Sequence, residues 1–495
     1  MKRTLLCCLA LWGNTSLYAD DETQLRLNQS LDQQLLQQQR SLQAQGTIRS
    51  TEKLPELQIN GKVYVVEKNQ DDLAKALYLA VMQKQWVNVQ IYLVHYQNYP
   101  EHDQALTDFA EGALARAQGQ LKLAEQQFQS SLNKQPNNLI CELELARVLF
   151  EQQKNKEAAH LFLSIQNKLK QSDHSVIPPE VQKTVQLFVK ALAQRDAWQG
   201  SIAIGPTYAS NLNSSSEQSK TWTLYGMDKD GNIIPAQITR GSPKAVSANG
   251  IDYDASLIKR FSIKENHGVA LRALAYGQSY DNQSNYNEST LNVNAGYSYY
   301  DLKNQINFSP LFEHKRYGNE SLYDAWGGRI EWMRFISGDK ALKLEAEIKD
   351  FNYQTYKTLN GQERSVLATF WKILPEQWTF FGGLDVLDRS TQEQYTAAYQ
   401  QQGIRLGISK PWNIGIHTAL LSSYRWRQFD KYAKVYEARR HDFEQNYTFV
   451  VQMPRFKFYG VTPNLTYRYN HNDSNVDWLY TYDKHNVSLK LEHRF

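Results

Sequence analysis

The chain has 495 residues, 41% of them hydrophobic and 21% charged, with 55 basic against 51 acidic side chains and a formal net charge of +4. That balance is too close to neutral for a nucleic-acid binder, and 30 Tyr with 11 Trp is too much aromatic content for a disordered chain. A mean hydropathy of −0.60, with no apolar run near 18 residues, excludes a bundle of transmembrane helices. A membrane barrel stays open, because its lipid-facing and lumen-facing residues alternate and average out.

Lys2 and Arg3 precede an apolar stretch from Leu5 to Trp12, and Leu17-Tyr18-Ala19 sets a small residue before Asp20. This pattern predicts a secretory signal peptide over residues 1–19. Cys7 and Cys8 sit in its apolar core and leave with it. Cys141 then has no partner for an internal disulfide, and no Cys/His spacing suits zinc, so a buried structural thiol and no metal site are expected.

Residues 20–70 form a second expected unit. Its first part is Gln-rich, with Leu25, Leu31, Leu35 and Leu42 at loose helical spacing. Leu57 to Val65 then alternates apolar and polar residues around Asn60-Gly61, the pattern of a small β-hairpin.

Helical periodicity runs over residues 71–197 and repeats at 34 residues, the period of a tetratricopeptide (TPR) unit. Gly112, Ala124, Phe128, Ser131 and Pro136 occupy its small, small, aromatic, small and proline positions, and Ala146, Ala158 and Phe162 follow one period later. Small residues let paired helices approach, and Phe fills the space between them. A degenerate earlier unit is expected from Asp71 to Pro100, with Ala76 and Tyr92 in corresponding places, and a capping helix from Pro179 to Arg195. Repeat solenoids bind peptides on a concave face. Counting within each repeat puts Phe109, Arg116, Leu143, Arg147, Phe150 and Glu151 on that face as candidate client-binding residues, with ordinary solvated charge as the alternative for the arginines.

Over residues 198–495 the helical pattern gives way to strands of about 10 to 16 residues. Leu342, Leu344, Ala346 and Ile348 share one face, and Lys343, Glu345, Glu347 and Lys349 the other. The same split sets Ile416, Leu420 and Trp426 against His417, Arg425 and Arg427, and Leu489, Leu491 and Phe495 against Lys490, Glu492 and Arg494. Such charged rows belong on a wet lumen wall, with the apolar rows toward lipid. Tight connections near Lys264–Asn266, Ser337–Asp339, Pro375–Glu376, Lys410–Pro411 and Pro454 alternate with longer ones at Asn211–Asn249, Asp281–Tyr286, Thr355–Asn360, Asp430–Glu437 and Asn472–Asp477. Short periplasmic turns, long external loops and a terminal Phe495 predict an antiparallel outer-membrane barrel of about 14 strands. The fold class is therefore α+β in two domains, helical repeats followed by a transmembrane β-barrel.

Walker, H-E-x-x-H, G-x-S-x-G and dinucleotide motifs are absent, so neither catalysis nor a cofactor is expected. Asp228 to Asn232 lacks the order of a calcium loop and has Thr239 at the twelfth position; a two-stranded excursion turning at Asp230-Gly231 suits it better. The first barrel strand carries Gly205 and Pro206, and proline cannot donate to a ladder. If the last strand is its neighbour, the closing seam is locally weak and a candidate lateral gate; a harmless bend is the alternative, and Pro310 and Pro463 also fall within strands.

Signal peptide, hairpin, Gly112, Ala124, Phe128 and Pro136 with their partners Ala146, Ala158 and Phe162, and a barrel ending in Phe495 together resemble the surface lipoprotein assembly modulators, called Slam proteins. The resemblance is architectural and covers nearly all of the chain after the signal peptide. It implies an outer-membrane translocon of a Gram-negative bacterium, with the repeats in the periplasm engaging a dedicated client and the barrel providing the path. The client so implied is a surface lipoprotein or a soluble haem- or iron-binding protein. Periplasmic chaperones, barrel-assembly machinery and outer-membrane lipid are the further partners implied, and nucleic acid is not. A polysaccharide-export porin joining repeats to a barrel, or a solute porin, is the alternative.

Overall fold

The computed structural model describes residues 54–59, 62–171, 179–227 and 232–495. The expected signal peptide, the Gln-rich segment and both hairpin turns, Asn60-Gly61 and Asp228–Gly231, lie outside the described residues.

Short strands β1 (Leu57–Ile59) and β2 (Lys62–Tyr64) pair antiparallel. Seven helices follow: α1 (Gln70–Met82), α2 (Trp86–Gln97), α3 (Gln104–Ala117), α4 (Leu121–Lys134), α5 (Leu139–Glu151), α6 (Asn155–Gln171) and α7 (Pro179–Arg195). The first helix of each pair is started by a side-chain oxygen that accepts from an otherwise unpaired backbone N–H. Asn69 accepts from Asp72 N at 2.8 Å, Asp103 from Ala105 N at 2.8 Å, and Asn138 from Cys141 N at 3.1 Å. The reversal after each first helix needs a residue at positive φ, supplied by Lys84, Gly119 and Gln153; only at Gly119 is that conformation free of strain.

These two signals recur once per repeat, so α1–α2 is a complete unit. Gly112 shows why a small residue is needed, since a Cβ there would lie 2.9 Å from the Phe128 ring. Tyr92, Phe128 and Phe162 are fully buried, as are Ala124, Ala146 and Ala158. Ser131 donates to Ala105 O at 2.8 Å, closing α4 onto α3. Cys141 is buried between α4 and α5, and that burial pushes its thiol up to about 11.

Fourteen antiparallel strands close the barrel: β3 (Gln199–Ala209), β6 (Ala248–Lys264), β7 (His267–Tyr280), β8 (Glu288–Tyr300), β9 (Asn304–Tyr317), β10 (Glu320–Ser337), β11 (Lys340–Tyr353), β12 (Gly361–Ile373), β13 (Thr379–Thr391), β14 (Tyr399–Trp412), β15 (Ile416–Ala433), β16 (Ala438–Gln452), β17 (Val461–Ser474) and β18 (Tyr482–Arg494). Each pairs with its sequence neighbour, and β18 returns to β3. The first long loop carries a separate hairpin, β4 (Ser219–Met227) with β5 (Ile233–Gly241).

Three connections differ from the sequence reading. Strand β14 continues through Lys410 and Pro411 to Trp412, because a proline beside the strand end forfeits only a terminal bond. Pro454 opens a 3-10 turn inside a longer link, residues 453–460, while residues 318–319 make a tight turn at the end of the barrel away from the helices. Among the described residues no helix is long and apolar enough to cross a membrane.

Candidate functional site: the barrel interior, its seam and the helical docking

Alternation decides where every barrel side chain points. Along β11, Leu344 and Ile348 face outward and Lys343, Glu345, Glu347 and Lys349 inward; along β18, Leu489 and Leu491 face outward and Lys490 and Glu492 inward. Leu384 and Val386 continue the outer apolar band on β13. Lys410 stays at its edge, its ammonium 4.6 Å from the Trp378 ring and 4.8 Å from the Trp412 ring and bonded to Glu376 at 3.1 Å.

Inside, opposite charges interlock within and across strands. Arg329 on β10 meets Glu345 at 3.5 Å and Glu347 at 3.3 Å, and Lys343 meets Glu331 at 2.8 Å and Glu345 at 3.0 Å. Lys349 bridges Glu347 at 3.0 Å and Glu313 at 3.1 Å, and Arg272 reaches Glu331 at 3.0 Å. On the other wall Arg425 and Arg427 converge on Glu444, each at 3.3 Å. The wet wall expected for these charges is corrected by their burial: Arg329 keeps only 2% of its surface exposed, because each charge is shielded by its partners. Toward the helical end the interior turns apolar, with Met333, Phe335, Trp371 and Phe381 buried together. Toward the other end Arg440 lies between the Phe429 ring at 4.4 Å and the Tyr480 ring at 3.3 Å.

Two sequence-predicted lumen residues sit at the rim. His417, inward by register, is exposed at the start of β15, and Arg494 is half exposed while donating to Glu492 at 2.7 Å. Arg329, Glu331, Glu313 and Glu444 were missed, although the same period-2 pattern carries them.

Gly205 and Pro206 do lie on the closing seam. Pairing between β18 and β3 runs from Asn486–Ala209 to Ser488–Thr207, skips Pro206 and Gly205, and resumes at Leu491–Ile204. Pro310 interrupts the β8–β9 ladder in the same way, whereas Pro463 keeps its register opposite Leu491.

The helical groove needs a larger correction. Phe109 and Leu143 are buried in the helical core, with Phe109 against Phe128 at 5.8 Å, because the first helices turn these residues toward their partners. Phe150 is covered by α7, with Phe188 at 4.9 Å and the Arg195 guanidinium at 3.6 Å over its ring. Arg116, Arg147 and Glu151 stay partly exposed, linked through Glu144: Arg116 bonds Glu144 and Glu151, and Arg147 bonds Glu144.

Helices and barrel meet at the tight-turn end. Asn266, in the β6–β7 turn, donates to Gln152 O at 2.6 Å, Glu265 N donates to Glu157 at 2.6 Å, and Ser262 donates to Asp196 at 3.1 Å. Leu302, from the β8–β9 turn, packs on the helical core. The helices are thus docked on β6 and on the β6–β7 and β8–β9 turns.

A TPR domain seated on the turns of a closed 14-strand barrel, apolar outside and charged within, defines an outer-membrane β-barrel protein with an appended repeat domain. The family model for the surface lipoprotein assembly modifier matches residues 198–495, and that for its N-terminal TPR repeats matches residues 61–162. The chain belongs to the surface lipoprotein assembly modifier family. It is 73% identical to the hemophilin secretion modulator of Acinetobacter baumannii over 100% of both chains. It is 25% identical to surface lipoprotein assembly modifier 1 of Haemophilus influenzae, covering 86% of this chain and 85% of that one. The corresponding figures for surface lipoprotein assembly modifier 1 of Neisseria meningitidis are 24%, 91% and 87%.

Proposed function

We propose that this protein is an outer-membrane translocon that moves a dedicated haem-binding client protein from the periplasm to the cell exterior. The observation that carries this reading is the end-to-end similarity to a hemophilin secretion modulator, which spans the helical repeats as well as the barrel. The helical domain faces the periplasm and engages the client before it folds, and the barrel provides the path. Apart from the link at residues 453–460 and the tight turn at 318–319, turns on the helical side are short and loops opposite are longer, which supports that orientation. Arg116, Arg147 and Glu151 offer a mixed-charge surface for the client. Periplasmic chaperones, barrel-assembly machinery and outer-membrane lipid are the remaining partners of this reading, which includes no catalytic step; transport draws on binding and on client folding outside.

The test is co-expression with the hemophilin of Acinetobacter baumannii in a Gram-negative host that lacks this protein. Client should reach the medium only when the chain is present, and should stay in the periplasm when residues 70–195 are deleted. Equal release without the chain rejects the proposal. Labelling of single cysteines at Lys122 and at Tyr395 in intact cells tests the orientation, with only the second expected to react.

A further inference from the structure

The barrel closes where its first strand meets its last, and this interface is built unlike the others. Every other neighbouring pair of barrel strands is joined by a stretch of chain at one end, but β3 and β18 are not consecutive and share none. Seven positions pair across the seam, fewer than across any other interface in the barrel. The missing pairs fall in its middle. Pro206 has no N–H to give, and a Cβ on Gly205 would lie 2.0 Å from Leu489 O, so the backbone there admits no side chain.

A buried charge contact spans the gap from inside. Lys490 stands opposite Gly205, which stands opposite Asp252 on β6. With only Ala203, Gly205 and Thr207 on the inner face of β3 here, the Lys490 side chain passes over the strand to Asp252 at 3.3 Å and Asp254 at 3.0 Å. The last strand is therefore held by a side chain to β6, the strand beyond its neighbour, where its own ladder is broken.

We propose that the β3–β18 seam is a lateral gate through which an extended client segment leaves the barrel, and that Lys490 with Asp252 and Asp254 is its latch; this rests on the export reading above. An opened seam presents two strand edges, and such edges recognise an extended backbone through main-chain hydrogen bonds. The terminal pairs, Gly200 with Phe495 at 3.0 and 3.1 Å and Ser210 N with His485 O at 3.0 Å, guide reclosure. The interrupted β8–β9 ladder is a natural control, because its strands remain tethered through residues 301–303.

The test uses the full chain assembled in cells that release the hemophilin client. Ile204→Cys with Leu491→Cys is oxidised after assembly, so folding precedes the constraint; Val293→Cys with Phe312→Cys places the same constraint on the control ladder. Oxidation at the seam should abolish release, reductant should restore it, and the control crosslink should leave it unchanged. Undiminished release from the seam-crosslinked protein overturns the gate while leaving the export reading intact. No release from the uncrosslinked protein overturns the export reading itself. Lys490→Gln should lower the temperature at which the barrel unfolds in detergent, and an unchanged temperature overturns the latch.

Discussion

The Phe188 ring lies flat on Phe162, with centroids 4.8 Å apart and planes within 9°. This stack fastens α7 to the last repeat, and through Asp196 to Ser262 it links the repeats to the barrel. Phe188→Ala should cost about 2–3 kcal/mol, below the range for a fully buried ring, because Phe188 is only partly covered. Far-UV circular dichroism on heating should show the helical transition moving down ahead of the barrel transition.

Gly112 tests the small-residue rule directly. Gly112→Ala gains helix propensity of roughly 0.5–1 kcal/mol, but the new methyl meets the Phe128 ring, and overpacking of that kind costs about 1–3 kcal/mol. The expected sum is a lower helical melting temperature. A rise would show that the repeat interface has room to relax.

Inside the barrel, Arg329→Ala leaves Glu345 and Glu347 without a shared cation, and removing one member of a buried pair costs about 3–5 kcal/mol. Barrel unfolding in detergent should move to lower temperature, and adding Glu347→Gln should recover part of the loss.

On the outer face, Leu384→Arg should sharply reduce the yield of assembled barrel, since a lipid-facing arginine costs about 2–4 kcal/mol near the midplane. Heat-modifiable mobility of membrane fractions reads the outcome directly.

Asp108 links the helical domain to pH. Burial pushes its carboxyl up, but hydrogen bonds from Lys134, Ser130 and Gln104 outweigh burial and hold it below the ordinary 3.8. A carboxyl lowered in the folded state stabilises it above the unfolded value, and that contribution is lost as pH falls through the folded one. Asp108→Asn should therefore be less stable than the natural protein at neutral pH, with the difference narrowing below pH 3.8 in acid titrations followed by circular dichroism.

Much of this architecture is local and was readable as such. Period-2 alternation assigns Leu344 outward and Lys343 inward without knowledge of any neighbour, and a 34-residue recurrence of Gly, Ala and Phe marks paired helices. The caps Asn69, Asp103 and Asn138 recur at 34 and then 35 residues and would have completed the first repeat.

Sequence by itself determined which side of each strand meets lipid and where helices give way to strands, because both follow from the spacing of apolar side chains along one segment. Only the tertiary structure decided partners. That Phe109 is core and not groove depends on the rotation of α3 against α4, and that Lys490 answers Asp252 depends on two strands more than 200 positions apart flanking one glycine. Burial of the inner charges had a mixed origin: Lys343 and Glu345 pair within β11, but Arg329 meets Glu345 and Glu347 only once the barrel sets β10 beside β11.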